Sequence, residues 1–167
     1  DQSLTDMLKL QKQTLESERE KIEDSLALIE RMIDVVQAEQ TLDHDLLFSL
    51  IRNMNQEGRQ REWVASHLSE FTARSLFDLS AEAQRSIDAE TVRFSRDVKR
   101  LAKGPFDSEE AQTVIGAYVK WAISHLDRQA LMNFRSLGEE HYEHLDQLVE
   151  MPFNEQEMLW LEEALKH

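Results

Sequence analysis

Three groups of side chains in this 167-residue chain are of types and spacings that could do chemistry. The segment Glu139-Glu140-His141-Tyr142-Glu143-His144 sets two histidines among carboxylates, a donor set that suits a hard or borderline metal. Its spacing is neither the His-Glu-x-x-His of zinc hydrolases nor the paired Glu-x-x-His of di-iron bundles. It therefore reads as a solvated acidic helix face, and no metal site is expected. The second group is aromatic: Trp63 and His67 stand one helical turn apart, as do Tyr118 and Trp121, and Trp121 and His125. Rings with polar tips suit a cleft that holds a flat ligand by stacking and a few hydrogen bonds. The same spacing also builds plain core, and with only 7% aromatics most of these rings must be core. The third group, Arg93, Arg96, Arg100 and Lys103, makes a basic ridge opposite Phe94, Val98 and Leu101. Such a ridge can hold phosphate, but pairing with acids of its own helix or of the C-terminal segment is the expected use.

Several chemistries are excluded. With no cysteine there are no disulfides, thiolate metal sites, iron–sulfur ligands or cysteine nucleophiles. Neither a Gly-x-Ser-x-Gly elbow nor a phosphate-binding glycine loop occurs. Nothing supports an enzyme, and no cofactor is expected. A net charge of −14 argues against unaided DNA binding, which depends on Lys/Arg neutralisation of phosphates. That charge is uneven: residues 139–167 hold nine acids and one base, whereas residues 40–138 hold fourteen acids and thirteen bases. No apolar run is long enough to span a bilayer and no signal-peptide pattern opens the chain, so a cytoplasmic protein without membrane contact is expected. Lacking an initiating Met, the chain is expected to be a fragment or a processed form.

The elements that position these groups read as helices. Four glycines and two prolines are too few for a turn-rich β or α/β fold, and no stretch alternates with period two. The N-terminal segment carries Leu4, Leu8, Gln11, Leu15, Glu18, Ile22, Leu26, Ile29, Ile33 and Val36 on one narrow stripe. The mean step is about 3.56 residues, between a coiled coil and a straight helix. A helix of this length spans on the order of 54 Å, and its natural partner is a second copy of itself. We expect a homodimer seamed by Leu4, Leu8, Leu15, Ile22, Leu26, Ile29 and Ile33. The fold class is all-α: a coiled-coil-like dimerisation helix over 1–39, then a compact helical domain over 40–167 with five to seven helices.

Punctuation is sparse. Gln40-Thr41 before Leu42-Asp43 reads as a helix end and a new N-cap, Gly58 as an interruption, and Lys103-Gly104-Pro105-Phe106 as the strongest turn. Asp107 with Glu110, and Asn154 with Glu157, have capping-box spacing. Gly138 reads as a kink or C-cap inside a stripe running from Leu131 to Leu148, and Met151-Pro152-Phe153 ends a helix. Trp63, His67, Leu68 and Phe71 read as one face.

The run from Leu8-Lys9-Leu10-Gln11-Lys12-Gln13-Thr14-Leu15 through Arg19-Glu20-Lys21-Ile22-Glu23 to Leu28-Ile29-Glu30-Arg31-Met32-Ile33 resembles the dimerisation helix of MerR-family transcription regulators. The remainder, with Met54, Glu57, Trp63 and the helices after the Gly-Pro turn, is similar to the all-helical effector domains of the TipA type. The resemblance implies an antiparallel homodimer and a bulky hydrophobic, drug-like ligand whose binding shifts the population of two states. It also implies DNA contact only through a winged helix-turn-helix domain that is missing from these residues. The cysteines of metal-sensing members are absent, which excludes a soft-metal sensor. Expected ligand contacts are Trp63, His67, Phe71, Tyr118, Trp121, His125 and Tyr142. The rival readings are a stand-alone antibiotic-sequestering protein and a helical scaffold that recruits protein partners through its acidic end.

Overall fold

The computed structural model describes residues 2–38 and 42–167. The chain is all-α: among the described residues there are eight helices and no strand. It divides into two compact units, Asp1–Gln40 and Thr41–His167.

The first unit is one helix, α1 (Gln2–Ala38). No Gly or Pro interrupts it, and its flanks carry ion pairs one turn apart: Lys9–Asp6, Lys12–Glu16 and Arg19–Glu23. Exposed pairs of this kind add only a few tenths of a kcal/mol each, about 0.2–0.5. The expected helix end at Gln40-Thr41 lies outside the described residues.

The second unit holds seven helices: α2 (His44–His67), α3 (Glu70–Phe77), α4 (Ala81–Leu101), α5 (Glu109–Ser124), α6 (Arg128–Arg135), α7 (Glu139–Leu148) and α8 (Glu155–Lys166). Side chains that accept backbone N–H bonds begin most of them. Asp43, Ser69, Ser80, Ser108, Asp127 and Asn154 each cap an N-terminus. Asn154 and Glu157 form the full reciprocal box that their spacing predicts.

Several punctuation marks fall elsewhere than expected. Gly58 lies inside α2, which runs through it without a break. Ser108, not Asp107, caps α5, its hydroxyl accepting from the Ala111 amide at 3.2 Å. Gly138 is the N-cap of α7, so the stripe from Leu131 to Leu148 is two helices rather than one kinked helix. The chain also leaves the helix at Leu68, which puts Phe71 on α3 and not on the Trp63 face.

Two buried clusters organise this unit. Phe94, Val98 and Leu101 of α4 pack with Ala111 and Ile115 of α5 and with Trp160, Leu161 and Ala164 of α8. The Gly-Pro turn closes this cluster, because the Trp160 indole N–H donates to the Gly104 carbonyl at 2.9 Å. The other cluster gathers Trp63, Val64 and Leu68 at the end of α2 with Ala73, Ala130 and Leu148 of α3, α6 and α7. Between α3 and α6 two helix caps interlock. Asp127 Oδ1 accepts from the Ala130 amide at 2.9 Å, from the Ser69 hydroxyl at 2.8 Å and from the Thr72 hydroxyl at 3.2 Å.

Candidate ligand-binding site

A cleft opens where α2 meets α7. Helical periodicity brings Arg59, Glu62, Trp63, Ser66 and His67 onto adjoining faces of α2, since residues three and four apart are neighbours. From α7 come His144 and Leu148, again one turn apart. Together these side chains line a cleft of about 310 Å³.

What holds α7 there is a set of side-chain-to-backbone bonds. Asn53 pairs with the peptide group of Glu150 in both directions, donating to its carbonyl at 2.7 Å and accepting from its N–H at 2.9 Å. Buried Gln60 donates to the Leu148 carbonyl at 2.8 Å. These bonds satisfy backbone groups just beyond the last turn of α7, where a helix leaves carbonyls orphaned. The cleft wall is thereby fixed by two amide side chains of α2.

Inside the cleft, Trp63 is only 3% exposed and its indole stacks on the His67 ring, with centroids 4.7 Å apart and planes inclined by 15°. His67 Nδ1 lies 2.9 Å from the Trp63 carbonyl. A carbonyl only accepts, so Nδ1 carries the proton and Nε2 keeps the lone pair when the ring is neutral. His141 meets His67 edge-on, with centroids 5.0 Å apart. Two buried polar atoms in this group have no hydrogen-bond partner, Trp63 Nε1 and His141 Nδ1. Both atoms are closed to solvent, so neither is presented to the cleft.

The seven expected contact residues do not converge. Trp63 and His67 line the cleft. Tyr118, Trp121 and His125 form a separate ladder along α5. Tyr118 stacks face to face on Phe94 of α4 at 3.6 Å, Trp121 follows at 5.5 Å, and His125 meets Trp121 edge-on at 4.9 Å. Burial, with a smaller contribution from the Glu90 charge, pushes the Tyr118 phenol above its ordinary value. Tyr142 belongs to neither group: it packs edge-on against Phe134 at 5.6 Å and donates to the Phe134 carbonyl at 3.0 Å. Phe71 stands 65% exposed in the first turn of α3.

The cleft residues absent from that expectation are Arg59, Glu62, Ser66, His144 and Leu148. Arg59 was signalled by its place one turn before Trp63, and His144 by the histidine pair of the acidic segment. Among the described residues no group of three or more His, Asp or Glu is set to hold a metal ion. Two members of the basic ridge of α4 are ion-paired: Arg93 bonds Glu90, and Arg100 bonds Asp97 at 3.2 Å and Glu110 at 2.8 Å. Among the described residues no helix is long and apolar enough to cross a membrane. No family model matches the chain, and neither a curated protein nor a solved structure matches it.

Proposed function

We propose that this chain is the dimerisation and ligand-sensing part of a MerR-type transcription regulator. In this reading α1 pairs with the same helix of a second copy, and the α2–α7 cleft takes a small organic compound. Binding then shifts the helical unit between two states, and DNA-binding domains outside these residues respond. The ligand can act only through unequal affinity for those states.

One observation carries the reading. The seven seam residues, Leu4, Leu8, Leu15, Ile22, Leu26, Ile29 and Ile33, are 48–61% exposed along a single stripe of α1. An uncovered apolar stripe of this length is rare on a protein that works alone. Full burial of a Leu or Ile side chain contributes about 1.5–3 kcal/mol, so covering seven outweighs the cost of association. Sedimentation at tens of micromolar tests this. The chain is expected to run as a dimer, and Leu15→Asp or Ile22→Asp as a monomer with its helical unit still folded. A monomeric parent chain overturns the assignment. Within the cleft, quenching of tryptophan fluorescence by small organic compounds is the parallel test.

A further inference from the structure

We propose that Lys99 is a pivot on which the first turn of α2 lifts from the end of α4 and returns. Its ammonium is shared between two helix starts, and either one can hold it alone. Three observations carry the inference.

The first is geometry. Lys99 stands in the last turn of α4, and its Nζ lies 3.5 Å from Asp43 Oδ2 and 3.5 Å from Glu157 Oε2. Asp43 is the N-cap of α2 and Glu157 the third residue of α8, so one cation joins the ends of three helices. The second is that each acid is also bonded to its own helix. Asp43 Oδ1 accepts from the Leu46 amide at 2.8 Å, and Glu157 Oε2 accepts from the Asn154 amide at 3.0 Å. Each carboxylate therefore travels with the helix start it caps.

The third is the setting of the cation. The Lys99 side chain is only 19% exposed, and a helix start carries partial positive charge. With no carboxylate between them, a poorly hydrated ammonium would face two such starts, which is costly. One carboxylate is enough to prevent that. Glu157 is 16% exposed and Asp43 is 48% exposed, so the α8 side is the fixed partner and the α2 side the one that lets go. Burial of Leu46 keeps the first turn of α2 docked in the resting state. When that turn lifts, the charge passes wholly to Glu157. Helix α2, which carries one wall of the cleft, can thus shift at its start without stranding Lys99.

Hydrogen exchange in the full chain tests the pivot. It is followed at the Leu46 and Leu47 amides, which donate to the Asp43 side chain and carbonyl. Glu157→Gln keeps a competent capping-box side chain and removes only the charge. Asp43 is then the sole partner of Lys99, and lifting α2 leaves the ammonium unpaired. Exchange at both amides is expected to slow about tenfold, although an ion pair has been removed and chemical denaturation shows no gain in stability. Lys99→Met removes the tether and should speed the same exchange about threefold. Adding Glu157→Gln to Lys99→Met should then produce no slowing. Unchanged or faster exchange in Glu157→Gln overturns the pivot and leaves Lys99 in ordinary ion pairs. The same holds for slowing that persists without Lys99, for slowing matched by a general gain in stability, and for exchange that ignores Lys99→Met.

Discussion

Helices α2 and α5 carry the same kind of ring run and use it for different ends. On α5, Tyr118 finds a ring from the neighbouring helix: Phe94 lies flat against it at 3.6 Å, and the stack is completed by protein. On α2, the Trp63–His67 stack meets His141 only edge-on, and a cleft opens beside it. Aromatic residues one turn apart are thus not themselves a site. The deciding factor is what the helix packed opposite supplies. Helix α4 supplies an apolar ring that covers Tyr118, whereas α7 supplies Leu148, which packs into the cluster around Trp63, and His144, which lines the cleft beside it.

The contrast breaks most visibly at Phe94. This residue is 7% exposed and lies in the α4–α5–α8 cluster, so Phe94→Ala should cost about 3–5 kcal/mol in chemical denaturation. Quenching of tryptophan fluorescence by small organic compounds at the α2–α7 cleft should stay unchanged in the remaining folded fraction. A loss under about 1 kcal/mol would mean that the α5 ladder is not core and that the two regions are alike. A smaller effect, but on both properties, is expected at Asn53. Removing its amide strands the Glu150 N–H and carbonyl, a loss of about 1–3 kcal/mol. Because those bonds hold the α7 wall, Asn53→Ala should also weaken ligand binding and speed hydrogen exchange at the Glu150 amide. Normal affinity in this variant would show that the cleft wall is held by something else.

Acid titration sharpens the comparison next, because the interlocked caps of α3 and α6 serve the α2 side of the unit. Hydrogen bonds from the Ala130 amide, then from Ser69 and Thr72, hold the Asp127 carboxyl below its ordinary value of 3.8. The Arg61 guanidinium does the same for Asp78, and together with Arg74 for Glu70. A carboxylate whose folded pKa is depressed contributes stability that is fully present above its unfolded value and is lost as pH falls through the folded one. The melting temperature should therefore fall as pH drops below about 4. Asp127→Asn should flatten that fall while lowering stability at neutral pH. Parallel acid profiles for the parent and the variant would remove Asp127 from the account.

Local signals were legible and distant ones were not. The Asn154–Glu157 box could be read because both partners of each bond lie within one turn. Asp107 and Ser108 are both competent caps, and Glu110 at box spacing favoured the wrong one. Helical spacing alone groups Phe71 with Trp63, because a stripe projected along the sequence runs straight across the Leu68–Ser69 break where α2 ends. Of the cleft, Trp63 and His67 were readable from their spacing on α2. His144 and Leu148 were not placed with them, because α2 and α7 are joined by bonds such as Gln60 to Leu148, 88 residues apart in the chain. No periodicity encodes that pairing. An amide side chain that meets a distant peptide group looks, in sequence, like any polar residue on a solvated face.

The smallest expected effects come from a matched pair of glycines, one in each of the helices compared. Gly58 lies inside α2 next to Arg59, and Gly116 lies inside α5 two residues before Tyr118. A Cβ at either position meets nothing within 4 Å. Alanine lowers the conformational entropy of the unfolded chain and favours helix, so Gly58→Ala and Gly116→Ala should each add about 0.5–1 kcal/mol. Equal gains in thermal denaturation would show that the backbones of the two helices are equivalent, and that their difference resides in side chains and opposing partners. Ligand affinity separates the pair further. Gly116→Ala should leave it untouched, and Gly58→Ala should leave it untouched as well if α2 already holds its bound-state geometry. A drop in affinity for Gly58→Ala alone would instead mean that α2 bends at Gly58 when ligand enters, which would make this glycine a hinge of the sensing unit and α5 its rigid counterpart.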